Sequence, residues 1–365
     1  MIPLDIDAIE HISYGASVLA SGGGGDPYIG KIMAQQAIEK HGPIQLININ
    51  ELQPNDILLS TGMIGSPTIM IEKLPNGEES ILACLRVEED LKKKITAIYP
   101  LEAGGINSLL PLTTACRLAL PVVDLDGMGR AFPQFHMTTF YLDNINASPF
   151  VVIDEKLNIV ITNAIDSYQS EIFARAVTEK MGGAAIFAGY PISPVQAEKS
   201  GISGSLSLMK SIGEQMQQAI ANKDNLVNTL ASLLNGYVLF RGKLNRLNQR
   251  SEGGFTRGYA NFISLDNKKM NFTVLFQNEY LLVKENDTPL CITPDLIILI
   301  DEDTGTPVLT ERLSYGMNVV AIGAPANEKW RTPRGVQICG PNYFKYSLSY
   351  TPVEKLVENY RQETE

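Results

Sequence analysis

The chain has 365 residues, 44% of them hydrophobic and 19% charged, with a net charge of −10. That length supports two domains, and the composition is that of a folded globular chain, not a disordered one. The acidic balance disfavours non-specific binding to nucleic acid or anionic membranes, and no apolar run approaches the length of a membrane span.

Ile6, Ile9, Ile12, Ala16 and Leu19 recur at helical spacing and predict a helix over 5–20. The run SGGGGDP follows at 21–27. Asp26 then Pro27 reads as a helix start, with Asp26 as the cap, and the second helix runs to about Lys40. Four apolar runs, 44–49, 57–65, 95–102 and 120–127, have strand composition, and 106–119 between the last two has helical spacing. The alternation predicts an N-terminal α/β domain with a mixed, partly parallel sheet. Residues 150–164 read as a hairpin, and 167–181 and 205–221 as helices. The stripe Leu206, Met209, Ile212, Met216 and Ile220 belongs to the core. Beyond about 235 the pattern is β-rich. The expected division is 1–165 for the α/β domain and 166–365 for a mostly β domain with helices at its entry.

Cys84, Cys116, Cys291 and Cys339 have neither metal-ligand nor redox spacing, and no leader segment is visible, so a cytoplasmic chain with reduced thiols is expected. The three histidines lack zinc spacing. A phosphate-binding loop would need Lys-Ser or Lys-Thr after the glycines, and a dinucleotide fingerprint would need a strand before them. Neither is present. Gly23, Gly24 and Gly25 instead permit a close backbone approach beside Asp26.

Glu72 lies in a loop after a predicted strand. Glu102 follows another strand, and Gly104, Gly105 and Asn107 lead into a helix, the usual setting of a binding crevice. The segment VVDLDGMGRAFP brings Asp124, Asp126, Gly127, Gly129 and Arg130 together. Two carboxylates and a planar cation within seven residues are suited to general-base chemistry or to a divalent ion. The structural alternatives are a cap, a tight turn and an Asp–Arg pair.

SGGGGDPYIG, SPTIMIEK, LEAGGINSLLP and VVDLDGMGRAFPQ together resemble the S-methyl thiohydantoin desulfurase family, as does the C-terminal stretch ending CGPNYFKYSLSYTPVE. The resemblance covers essentially the whole chain. It implies hydrolysis of a small cyclic amide-type ring, with water attacking a ring carbon and methanethiol leaving. Asp124, Asp126 or Glu102 would serve as base, and Arg130 with the glycine-loop amides as donors. The resemblance also implies an accessory role beside a hydantoinase/oxoprolinase-type partner as the alternative; nucleotide binding through the glycine loop is a second alternative. No nicotinamide or flavin is expected. A divalent metal and a homo-oligomer stay open. His136 departs from the family pattern, which carries glutamine there.

Overall fold

The computed structural model describes residues 1–66, 69, 73, 75–222 and 224–364. Glu72 lies outside them. β1 (Ile2–Leu4) leads into α1 (Ile6–Leu19), which Asp5 caps by accepting the Ala8 amide at 2.8 Å. α2 (Pro27–His41) is capped by Asp26, whose carboxylate accepts the Tyr28 amide at 2.9 Å. Then come β2 (Ile44–Ile47), β3 (Leu58–Gly65), α3 (Glu79–Leu91), β4 (Ala97–Pro100), α4 (Leu110–Leu118), β5 (Val122–Val123) and β6 (Leu125–Asp126). The predicted helix over 106–119 is two pieces, because the chain first makes a 3₁₀ turn at Gly105–Ser108.

After the short α5 (Thr139–Leu142), β7 (Phe150–Ile153) and β8 (Ile159–Thr162) form the expected hairpin. α6 (Ser167–Lys180), β9 (Ala184–Ile192), α7 (Pro194–Ser200), β10 (Ile202–Ser203), α8 (Ser205–Asn222) and α9 (Leu226–Leu233) follow. The first sheet has the order β1-β2-β5-β4-β3-β9-β7-β8. β2, β5, β4 and β3 pair in parallel, and the remaining pairs are antiparallel. β9 therefore inserts from the second half of the sequence into the centre of the first sheet. Its residues Ala184–Tyr190 are all buried, so it reads as a continuous apolar run without the period-two signature of a half-exposed strand. In α8, Leu206, Met209, Ile212 and Met216 are buried as expected, whereas Ile220 is exposed.

From Tyr237 the chain builds a curled antiparallel sheet of β11 (Tyr237–Glu252), β12 (Phe255–Ser264), β13 (Asn271–Gln277), β14 (Glu279–Glu285), β15 (Thr288–Ile292), β16 (Leu296–Asp301) and β17 (Asn318–Ala324). Its order is β15-β14-β13-β12-β11-β17-β16. α10 (Pro333–Cys339) and α11 (Val353–Thr364) complete the chain. The fold is thus mixed α/β followed by a mostly β region. Among the described residues no helix is long and apolar enough to cross a membrane.

The two sheets meet through buried polar groups. Arg130 donates to the carbonyls of Pro294 at 2.9 Å, Asp295 at 2.8 Å and Tyr280 at 3.2 Å. Trp330 Nε1 donates to the Met128 carbonyl at 2.7 Å. The Asp295 carboxylate accepts from Arg331, Tyr350, and the amides of Ala326 and Val353. Removing one partner of such a buried network strands the others. Asp295→Ala should lower stability by about 3–5 kcal/mol, read as a lower urea midpoint with an unchanged slope. A shift below about 0.5 kcal/mol would show that solvent reaches these groups.

Candidate functional site

Each segment of the glycine-rich region has a distinct neighbour. A Cβ at Gly23 would fall 2.0 Å from Glu279 Oε1. Only a residue without a side chain leaves room for that carboxyl group. Gly24 and Gly105, both at positive φ, pack backbone against backbone, and the Ile106 amide donates to the Gly24 carbonyl at 3.0 Å. Asp26 closes the loop twice, as the α2 cap and as the ion-pair partner of Arg312. The helix α1 stands where a dinucleotide site would need a strand.

Beside this junction lies a narrow cleft with a cavity volume of about 50 Å³. Glu102, Asn107, Asn278, Glu279 and Arg175 supply its polar side chains. Met63, Met128 and a wall of phenylalanines supply the apolar ones. Phe135 and Phe187 are near-parallel, with centroids 6.3 Å apart, and Phe150 stacks on both. Such a wall suits one face of a flat ring.

Two acids face the cleft from opposite sheets. Glu102 follows β4, at the C-terminal ends of the parallel strands, and accepts from Asn107 Nδ2 at 2.7 Å. Burial pushes its carboxyl up to about 8, against the pull of the Asn107 and Phe132 N–H donors. Glu279 opens β14 after the tight turn at Asn278, which has φ 58° and exchanges hydrogen bonds with Thr256. Its Oε2 is buried without a partner among the described residues. Burial first, then the charge of Glu102, raise the Glu279 carboxyl well above its usual range, against the opposing attraction of Arg130. Both residues line the cleft, and no hydrogen bond joins the two acids among the described residues.

The VVDLDGMGRAFP segment is put to other uses. Asp124 accepts the amides of Leu206 at 2.8 Å and Ser207 at 3.2 Å, which holds the start of α8. Asp126 accepts the amides of Met128 and Gly129 and the Ser205 hydroxyl, and burial raises its carboxyl to about 6. The Gly127 amide donates to the Leu101 carbonyl. Gly129 forms the turn around Asp126. The expected carboxylate–Arg site is therefore divided. Asp124 and Asp126 anchor a loop, and Arg130 is fully buried among carbonyls of the second sheet and its β15–β16 turn. None of the three lines the cleft. Of the other expected site residues, catalytic candidate Glu102 and binding candidates Gly24, Gly25 and Asn107 do, while Gly23, Gly104 and Gly105 support it from behind.

Sequence reasoning missed Glu279. It sits inside the β-rich run NFTVLFQNEYLLVKEN, and the available signal was an Asn-Glu pair interrupting apolar residues. Burial lowers the buried imidazole of His136 to about 4, and three tyrosine rings surround it. Among the described residues no group of three or more His, Cys, Asp or Glu is placed to hold a metal ion.

These features define a two-sheet protein with an acid-lined cleft at the junction. The chain belongs to the S-methyl thiohydantoin desulfurase family. Residues 7–164 match the S-Me-THD-like N-terminal domain, and residues 165–353 the S-Me-THD-like C-terminal domain. The fold is also similar to a crystal structure of a protein from Chromobacterium violaceum, with TM-score 0.75 and 21% identity over 97% of this chain and 100% of that one. No curated protein matches the chain.

An acid whose pKa is raised by folding contributes stability below its unfolded pKa and loses it as pH rises through the folded value. For Glu102 that window runs from 4.5 to about 8. The wild-type urea midpoint should fall across this window, and Glu102→Gln should flatten the fall. An identical slope in the variant would refute the assignment. Asp124→Ala should cost about 1–2 kcal/mol through the lost cap on α8 while ligand affinity in the cleft stays unchanged. Lost affinity in a folded Asp124→Ala protein would return that residue to the site.

Proposed function

We propose that the protein hydrolyses a small, flat cyclic amide-type ring, of the S-methylated thiohydantoin kind that gives the family its name. The supporting observation is the pair Glu102 and Glu279, two raised carboxyl groups facing one cleft from different sheets. Asp124, Asp126 and Arg130 are given supporting roles here, because their polar atoms are already engaged in loop and junction contacts.

Two coupled acids hold one proton over a wide pH range, because the second charge is opposed by the first. One is then a base and the other an acid, which is the equipment a hydrolysis needs. The ring lies against Phe135 and Phe187. The ionised carboxylate takes a proton from water as its oxygen bonds to the ring carbon. The neutral carboxyl gives its proton to the adjacent ring nitrogen, and the two acids have exchanged protonation states. In the second step the acids work in reverse. One takes the hydroxyl proton as the C=O forms, and the other protonates sulfur as the C–S bond breaks. The products are a ring carbonyl, a ring N–H and methanethiol, so the two protons of water are accounted for. Arg130, held behind the pair, balances the single negative charge at a distance.

Glu102→Gln and Glu279→Gln should each lower kcat by about 10²–10⁴-fold with KM changed only a few-fold. Methanethiol release from an S-methylated thiohydantoin, followed with a thiol-reactive chromogen, provides the measurement. Full activity in either variant would remove that residue from the reaction.

A further inference from the structure

We infer that Asn107 is a positioning residue that fixes the acid proton of Glu102 on Oε2, leaving Oε1 as the carbonyl-like oxygen. The inference rests on the reading of Glu102 and Glu279 as the working pair. It starts from a gap in the first sheet. β3 pairs with β4 only as far as Thr61 and Pro100, yet β3 continues to Gly65. On its β4 side, Met63 is left with an amide and a carbonyl that the strand no longer serves. The Asn107 side chain serves them in its place. Its Oδ1 accepts the Met63 amide at 2.6 Å, and its Nδ2 donates to the Met63 carbonyl at 3.1 Å.

This pairing removes the usual freedom of a side-chain amide. Turning it over would set oxygen against the carbonyl and nitrogen against the amide. The backbone of β3 therefore dictates that nitrogen, and not oxygen, faces Glu102. The second Nδ2 hydrogen goes to Glu102 Oε1 at 2.7 Å. An oxygen accepting a fixed N–H is the better carbonyl and the poorer hydroxyl. The Phe132 amide also pulls on the carboxyl group, but the hydrogen bond that fixes one oxygen is the one from Asn107 to Oε1, which leaves Oε2 to carry the proton of the neutral acid. When the Oε2–H bond breaks and the proton passes to the substrate, the electron pair stays on the carboxylate, and Asn107 stabilises the charge.

The charged and titratable groups acting on Glu102 are Asp126 and Arg130 from the neighbouring loop and Glu279 from β14. Arg175 of α6 lines the same cleft. All of them remain in an Asn107 variant, so a change there isolates the amide.

Infrared spectra of the ligand-free protein at pH 6 test the placement without turnover. The protonated-carboxyl band that Glu102→Gln abolishes should move to higher frequency in Asn107→Ala, because its carbonyl loses a donor. Asn107→Asp keeps an acceptor for the Met63 amide, guards against a folding failure of the alanine variant, and should move the band in the same direction. With a turned-over substrate, Asn107→Ala, which adds no charge beside Glu102, should move the alkaline limb of kcat/KM up by about one pH unit, since the ionised acid has lost support. kcat should fall about tenfold with KM nearly constant. A band unmoved in both variants, or no band removed by Glu102→Gln, overturns the inference. So does a raised KM with an unmoved limb, which would make Asn107 a substrate contact. A moved band in a protein that turns over no ring would sink the proposed reaction and leave the proton placement standing.

Discussion

Arg130 is a permanent cation with no exposure to water, and the junction is built around that fact. A guanidinium taken out of solvent needs acceptors for its N–H groups and negative charge nearby. Carbonyls of Ala131, Pro294, Asp295 and Tyr280 provide the acceptors, and the Phe132 ring covers one face at 4.7 Å. The Tyr280 carbonyl lies in β14 of the second sheet, and those of Pro294 and Asp295 lie in the turn between β15 and β16. The loop that follows β6 is thereby tied to the region that presents Glu279, since Tyr280 is its neighbour in sequence. Burial pulls Arg130 below its usual pKa, and the nearby Glu279 and Asp295 charges oppose that pull. The cation thus makes it tolerable to bury acids that would otherwise be costly.

The glycine run serves the same junction from the other side. Its two neighbours in space are the Gly104–Gly105 turn and the Glu279–Tyr280 corner. The Tyr280 amide donates to the Ser21 carbonyl, and the Thr310 amide to the Gly22 carbonyl. Ser21 Oγ bridges to the backbone of Ile297 in both directions. The first sheet's loop is therefore stitched into the second sheet at several backbone groups. A side chain at Gly23 would occupy the place of the Glu279 carboxyl, so this one glycine of the run is tied to the packing of an acid more than 250 positions away, while Gly22 meets Tyr280 and Gly24 meets Gly104.

Much of this was legible in the sequence. Asp26-Pro27 announced a capped helix, and the helix before the glycines weighed against the nucleotide geometries. Glu102 and Asn107 stood out because they follow a strand and precede a helix. The segment VVDLDGMGRAFP was read as a carboxylate–arginine site with a tight turn as the alternative, and the direction of its side chains was not readable. Asp124 and Asp126 satisfy backbone amides and hydroxyls near Ser205, some 80 residues on, and no local pattern encodes that meeting. β9 escaped notice because a strand buried on both faces has no alternation to detect. Glu279 escaped because its importance comes from burial against Gly23, and burial of an acid is a property of the assembled fold.

Charge balance explains why the acids belong at this junction and not elsewhere in the molecule. Asp126 is compensated locally by two amides and a hydroxyl. Asp295 is compensated by Arg331 and its own donors. That leaves Glu102, Glu279 and Arg130 as a group. With both acids ionised the group carries one excess negative charge in a poorly solvated space. With both neutral the buried cation keeps only the Asp295 charge, which Arg331 already pairs. A single shared proton gives neutrality, so the half-protonated state is the one the surroundings favour. In the proposed reaction, an exchange of protonation between the two acids would leave the total charge of the group unchanged.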